Sequence, residues 1–417
     1  MPTETPLPDR CPGWAEAPLA DHVLAPVLPV EGWPGGDATQ PFVRYRQLLL
    51  AWWRWRALDR SDAEWADLVG RLDDAVAAID GRGFRITPVE EHDDLIPGAR
   101  AFVKDETRNV SGSHKGRHLF GVLLHLEVTR AAGLDEGDTG TLAIASCGNA
   151  ALAAAVIARA AERTLDVFVP PEAAEAVQAR LRDLGARVHH CPRTDETPGD
   201  PCHHAFRAAV ENGAIPFCCQ GPDCTAALDG GRTLGFEFVD AMREHDARLD
   251  RVFVQVGGGA LASCLIRALE DAAARGVLHS PPRIHAVQTA SVAPLAAAWE
   301  RLFAQGDAHA ALERAAMNRR EVLLTWRRPR GSVAAGILDD DTYDGRAVLQ
   351  GMLASGGRPA VVDEATLQRA EARAGAATDI RADATGTAGF AGALSMADEG
   401  ESFSGETLGF LFTGVRR

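Results

Sequence analysis

The chain has 417 residues, 46% hydrophobic and 24% charged, which is enough apolar material for two or three globular domains. Lysine and arginine number 43 against 58 aspartates and glutamates, and the resulting net charge of −15 argues against nucleic acid or an anionic membrane as the main partner. The opening MPTETPLPDR has no basic segment followed by an apolar run, and no stretch of about 18 apolar residues offers a membrane span. With eight cysteines and no leader, reduced thiols in a cytoplasm are the expectation.

Residues 1–40 are rich in proline and glycine, lack periodicity and read as an arm. Residues 41–80 read as helical, with Trp52, Trp53 and Trp55 packing as core or interface. The run Glu90-Glu91-His92-Asp93-Asp94 reads as a solvated turn, and Asp195–Pro201 as a loop. From residue 100 short apolar strands alternate with Ala-rich helices. The strands are expected at Ala101–Val103, Leu142–Ala145, Leu165–Val169, Arg187–His189, Ile215–Cys218, Val252–Val256, Ile284–Val287 and Leu408–Phe412. The helices are expected at His118–Ala131, Ala150–Ala161, Glu172–Leu184, Arg232–Arg243 and Leu261–Ala274. This alternation predicts an α/β protein with parallel-rich sheets flanked by helices. The expected division is an arm at 1–40, one α/β domain at 41–232 and a second at 233–417, with an active-site cleft between the two domains.

Four segments carry chemistry. In Val110-Ser111-Gly112-Ser113-His114-Lys115-Gly116, a lysine follows a small-residue turn and opens an apolar helix. It is either a solvated residue behind a helix cap or, held in a partly apolar cleft, an amine able to form a Schiff base. In Leu142–Ala150 a strand runs through Ser146-Cys147-Gly148-Asn149 into a helix. The free amides there can hold a carboxylate, unless Ser146 merely caps the helix. In Val252–Leu261 a buried strand meets Gly257-Gly258-Gly259 and a helix start, where amides can converge on a phosphate. The dinucleotide fingerprint fails here, because position 262 is alanine where a glycine is required. In Leu408–Gly414 a strand delivers Thr413 at its carboxyl end, where α/β sheets bind ligands; the bland alternative is a turn-forming Thr-Gly.

Taken in order, lysine turn, Ser-x-Gly-Asn loop, glycine turn and C-terminal Thr-Gly resemble the fold type II pyridoxal phosphate (PLP) enzymes, the tryptophan synthase β-subunit superfamily. Among these the chain is most similar to threonine synthase and the serine/threonine dehydratases. The stretch Leu228-Asp229-Gly230-Gly231-Arg232-Thr233-Leu234-Gly235-Phe236-Glu237 adds to the likeness. The resemblance implies that Lys115 carries PLP and shuttles the substrate α-proton, with His114 near the cofactor phosphate. Asn149 is implied to bond the pyridine hydroxyl, and Ser146, Cys147 and Gly148 to embrace the substrate carboxylate. Gly257, Gly258, Gly259, Ala260 and Leu261 would form the phosphate cup, and Thr413 would face the pyridine nitrogen. Should Thr413 not be that partner, Thr385 or Thr387 is next in line. A neutral hydroxyl there suits elimination and replacement better than transamination.

Three residues depart from the pattern. His114 stands where threonine synthases and dehydratases usually carry phenylalanine, as in tryptophan synthase β-subunits. Cys147 replaces a small hydroxyl or alanine, and Ala260 replaces the fourth glycine of the cup while keeping its amide. The implied activity is a PLP-dependent lyase acting on a hydroxy or otherwise β/γ-substituted amino acid. The alternatives are a β-replacement synthase or a non-catalytic PLP-binding relative, and the intact Lys115 and Asn149 speak against the latter. A homodimer is the family's habit. No metal is expected, although His189-His190-Cys191 and Cys202-His203-His204 offer soft ligands in a spacing that matches no usual finger. Cys218-Cys219 reads as buried packing on a strand.

Overall fold

The computed structural model describes residues 10–134, 140–193, 199–326 and 331–416. Its strands are β1 (Val89–Glu91), β2 (Arg100–Asp105), β3 (Leu142–Ala145), β4 (Leu165–Val169), β5 (Arg187–His190), β6 (Ile215–Pro216), β7 (Arg251–Gln255), β8 (Arg283–Thr289), β9 (Ala360–Val362) and β10 (Thr407–Phe412). The chain divides into two compact units. The first takes residues up to Pro12, Leu24–Ile86 and Asn109–Thr233; the second takes Gly13–Val23, Thr87–Arg108 and the chain from Leu234 onward. Residues 87–108 thus cluster with the later half of the chain, although they precede the lysine turn. The cause is β2, which pairs in parallel along its whole length with β10.

The first unit holds a parallel sheet in the order β5-β4-β3-β6. β6 stops at Pro216, two residues short of the expected Cys218. The Ile215 and Phe217 amides donate to the Thr141 and Ala143 carbonyls beside β3, so Pro216 between them faces the open sheet edge, where its missing N–H costs nothing. Cys218 and Cys219 are buried beyond it but belong to no strand.

The helix Lys115–Ala131 is buried at every position from Gly116 to His125, the charged or polar Arg117, His118 and His125 included, because neighbours cover it on several sides. It crosses Ala227–Gly231 at glycine contact. A Cβ on Gly230 would fall 2.2 Å from the Arg117 carbonyl, and one on Gly121 would fall 2.7 Å from the Gly230 Cα. Two glycines therefore set how closely these helices approach. Helix Asp62–Asp80 starts on a reciprocal Ser61–Glu64 capping box and stops at Gly81, whose φ of 82° favours glycine. Trp52 and Trp55 are buried, as their spacing predicts, and their indole N–H groups donate to Asp62 and to the Ser61 carbonyl.

The second unit holds a six-stranded sheet in the order β1-β2-β10-β7-β8-β9, parallel except for β1. β7 and β10 are buried at every position, as central parallel strands covered on both faces must be. Phe253 of β7 stacks on Phe410 of β10 at 5.7 Å, and Phe390 from helix Ala388–Asp398 meets Phe410 edge-on. The expectation of a solvated turn at residues 90–94 fails in part. Val89–Glu91 forms an edge strand antiparallel to β2, its charges pointing outward where an edge needs them.

Candidate functional site

In the first unit the lysine turn is built by local backbone strain. Ser111 sits at φ 57° and Gly112 at φ 64°, both in the left-handed region. The Asn109 side chain accepts from the Val110 amide at 2.8 Å, and Asp80 Oδ2 accepts from the Ser111 amide at 2.9 Å. These bonds hold a conformation that a serine disfavours. Lys115 then opens its helix as a half-buried residue, with His114 before it 7% exposed. Gly116 keeps this turn uncrowded, since a Cβ there would lie 3.2 Å from the Phe84 ring and 3.3 Å from the Val110 carbonyl.

Ser146, Cys147, Gly148 and Asn149 follow β3 at its carboxyl end. Helix Asn149–Ala160 begins at Gly148 with no side chain capping it. The Ser146 hydroxyl accepts from the Gly148 amide at 3.4 Å, so it turns the loop and does not cap the helix. Cys147 is exposed, and a Cβ on Gly148 would meet nothing within 4 Å. The helix packs on both Val110–Gly112 and Lys115–Ala131, so the first unit brings these two sequence-predicted segments together.

In the second unit Gly257-Gly258-Gly259 links β7 to helix Ala260–Ala274, again with no side-chain cap. Here the glycines are explained by crowding. A Cβ on Gly257 would fall 2.2 Å from Asp339 Oδ2 and 2.9 Å from the Ile337 Cα; one on Gly258 would fall 2.9 Å from the Tyr343 ring. Gly259 also has φ 101°. The Asp344 amide donates to the Gly258 carbonyl at 2.9 Å, tying Ile337–Asp344 to the turn. The side facing that segment is therefore filled, and an anion must approach from another. Ala260 and Leu261 start the helix and are buried, which leaves their backbone amides as the groups they can offer.

Thr413 follows β10 and is 2% exposed; β10 pairs with β7, which leads into the glycine turn. Gln255 Nε2, at the end of β7, donates to Thr413 Oγ1 at 2.6 Å. Nothing in the sequence distinguishes Gln255 from an ordinary strand residue, and only the pairing of β7 with β10 exposes it. Thr387 already donates its hydroxyl proton to the Asp383 carbonyl at 3.1 Å, whereas Thr385 accepts from the Gly336 amide at 3.1 Å and, like Thr413, keeps its proton.

Two lysines occur in the chain, and the structure separates them sharply. Lys104 is fully buried and donates to Glu237 at 2.6 Å and to the Thr87 hydroxyl and carbonyl at 2.5 and 2.8 Å. An ammonium so held is locked as a structural cation, whereas Lys115 lies at a helix start with a partly open surround.

Residues 82–414 match the model of the pyridoxal-phosphate dependent enzyme family. The chain belongs to this family. An L-serine dehydratase from Saccharomyces cerevisiae (strain AWRI1631) is 30% identical over 175 residues, 40% of this enzyme and 51% of that protein. The tryptophan synthase beta chain of Streptomyces coelicolor (strain ATCC BAA-471 / A3(2) / M145) is 29% identical over 243 residues, 55% of this chain and 54% of that one. The enzyme therefore spans about half the length of the curated relatives it matches. Among solved structures, diaminopropionate ammonia lyase from Escherichia coli superposes with a TM-score of 0.62 at 18% identity, covering 84% of this enzyme and 88% of that chain. Maize serine racemase gives 0.60 at 18%, covering 83% and 92%. These likenesses show the fold type II architecture.

The residues fit the cofactor. A half-buried lysine amine can carry it, a glycine turn closed on one side by Ile337–Asp344 can cradle a phosphate, and a buried hydroxyl can face a ring nitrogen. The Leu228–Glu237 stretch has a scaffolding role. Asp229 accepts from the Leu50 and Ala51 amides, from His125 at 2.9 Å and from Arg232 at 2.9 Å. Burial alone would raise its carboxyl, but the His125 and Arg232 contacts outweigh burial and hold it at about 2. Among the described residues no three histidine, cysteine or acidic side chains gather to hold a metal. His189 pairs with Asp166 at 2.8 Å and His203 with Asp223 at 2.7 Å. Most of the loop expected at Asp195–Pro201 lies outside the described residues, and Pro201 already opens helix Pro201–Glu211. No helix of the described residues is long and apolar enough to cross a membrane.

Proposed function

We propose that this PLP-dependent enzyme is a lyase of the serine/threonine dehydratase or threonine synthase-like type, which removes a β- or γ-substituent from a hydroxy or similarly substituted amino acid. The observation that carries this reading is Thr413, a neutral hydroxyl fixed at the end of a central strand where a carboxylate would favour transamination. The 30%-identical serine dehydratase supports the same class.

The bound cofactor would supply an electron sink for charge leaving the substrate α-carbon. Lys115 would carry the cofactor and, once displaced by substrate, take the α-proton on its Nζ. The first amides of helix Asn149–Ala160, with Ser146, Cys147 and Gly148, would orient the substrate carboxylate. Asn149 would bond the cofactor hydroxyl, and Gly257, Gly258, Gly259, Ala260 and Leu261 would hold the phosphate with His114 nearby. Thr413 would face the ring nitrogen.

Incubating the purified enzyme with L-serine and L-threonine tests the reading. Release of 2-oxo acid and ammonia is expected, and loss of both in Lys115→Ala. The second reading, β-replacement, is favoured by the His114-Lys115 pair and by the tryptophan synthase beta likeness. It would show as a new amino acid formed only when a nucleophile is added, with no oxo acid in its absence.

A further inference from the structure

We propose that Gln255 is a positioning residue that forces Thr413 to donate its hydroxyl proton, and so keeps the cofactor ring nitrogen unprotonated. The inference deepens the reading of Thr413 as ring partner and rests on it.

A count of protons decides the polarity of this pair. Gln255 is 3% exposed, and its Nε2 lies 3.1 Å from the Gly386 carbonyl, 3.1 Å from the Leu411 carbonyl and 2.6 Å from Thr413 Oγ1. Two of these three neighbours are carbonyl oxygens, which only accept. The end of the amide that faces them must therefore be the NH2 group, and its oxygen must point away. An amide NH2 has no lone pair to offer. The NH2 group has two protons for three oxygens, and Thr413 Oγ1 is the nearest at 2.6 Å; it accepts one while the two carbonyls share the other, so its own single proton points elsewhere.

Thr413 is 2% exposed, so bulk water does not take that proton. A pyridine nitrogen accepts a hydrogen bond only when it carries no proton of its own. A partner that can only donate favours that form; a partner free to accept would tolerate either form.

The arrangement also carries a cost. Among the described residues Gln255 Oε1 is buried with no hydrogen-bond partner. A glutamine kept only to tie strands together would be better replaced by a residue that leaves no orphaned oxygen. The cost is understandable if the Nε2 end, aimed at Thr413, is what matters.

The test uses holoenzyme reconstituted with PLP labelled with 15N in the ring, read by 15N NMR in the wild type, Gln255→Glu, Gln255→Met and Thr413→Ala. The wild type should show the shift of an unprotonated, hydrogen-bonded nitrogen across the working pH range. Gln255→Glu offers an acceptor to Thr413, draws its proton away from the ring, and should move the resonance toward the pyridinium position. Gln255→Met keeps the shape without the donor and should move it in the same direction by less. It also keeps the test open if the glutamate variant fails to fold. If both Gln255 variants retain the wild-type shift while Thr413→Ala changes it, Thr413 is the ring partner but Gln255 does not set its polarity. If Thr413→Ala also leaves the shift unchanged, the reading of Thr413 fails and this inference fails with it.

Discussion

Two helix starts in this enzyme, Ser146–Asn149 and Gly257–Leu261, follow the same strand–turn–helix device without a side-chain cap, yet they are backed in opposite ways. Behind the glycine turn, Ile337–Asp344 packs so tightly that no Cβ fits at Gly257 or Gly258. Around Gly148 there is open space, and Cys147 beside it is exposed. In the proposed reading the closed turn takes the cofactor phosphate, the same in every turnover, for which a rigid cradle suffices, and the open loop takes the carboxylate of a substrate that must enter and leave. The lesson is that equal backbone chemistry takes different duties according to what stands behind it.

The largest expected effect lies outside both turns and fixes their frame of reference. Lys115→Ala should lower turnover by on the order of 10²- to 10⁴-fold. Borohydride reduction and peptide mapping of the wild type should place the pyridoxyl group on Lys115. Label on Lys104 would undo the assignment, and the buried Glu237 pair is the reason not to expect it.

Next comes access. An alkylating reagent should inactivate the enzyme through exposed Cys147, substrate should protect, and Cys147→Ser should be insensitive. Full sensitivity in that variant would mean the open loop is not where inhibition occurs. Cys264, in the helix after the glycine turn, is 1% exposed and should react slowly if at all.

Gly257→Ala then probes the rigid turn. Inserting a methyl against Asp339 and Ile337 should cost about 1–3 kcal/mol in urea unfolding and weaken PLP binding. A folded variant with unchanged PLP affinity would place the phosphate elsewhere.

Asp229 asks whether rigidity is confined to the second unit. Its carboxyl, held at about 2 against an ordinary 3.8, binds its proton less readily when folded. Its contribution, about 2 kcal/mol, is therefore present above pH ~4 and lost as pH falls through about 2. Urea midpoints of the wild type should fall over that window. Asp229→Asn should be weaker at pH 7 and flatter below pH 4; a parallel curve would remove Asp229 as the cause.

The smallest effect should be Gly148→Ala. The space is empty, so no packing is lost, and the cost comes only from its ψ of −140° at φ −136°, outside the extended region a side chain prefers; stability should change by about 1 kcal/mol. A loss as large as that of Gly257→Ala would erase the contrast between the two turns.

The alternation of strand and helix, and the four segments that match the family, were legible in the sequence because each is local. β3 is a run of four apolar residues and β4 has four apolar residues among five, and glycines or small residues mark the turns that follow β3 and β7. β1 and β9 were missed because each has only three residues and forms at a sheet edge through pairing with a neighbour. β6 was drawn too long because an apolar run marks burial and not pairing, and Phe217 and Cys218 stay buried past the end of the strand.

By itself the sequence determined an α/β chain with a lysine at a helix start, two uncapped strand–turn–helix turns and a hydroxyl ending the last strand. Each depends on residues close together in the chain, where propensity and turn chemistry act. Only tertiary structure decided that residues 87–108 join the later half of the chain, through β2 pairing with β10. It alone decided that Asp339 and Ile337 close one side of the glycine turn, and that Gln255 meets Thr413 across neighbouring strands. These contacts join residues 80 to more than 300 positions apart, whose meeting depends on sheet order and helix packing, and no local pattern encodes that order.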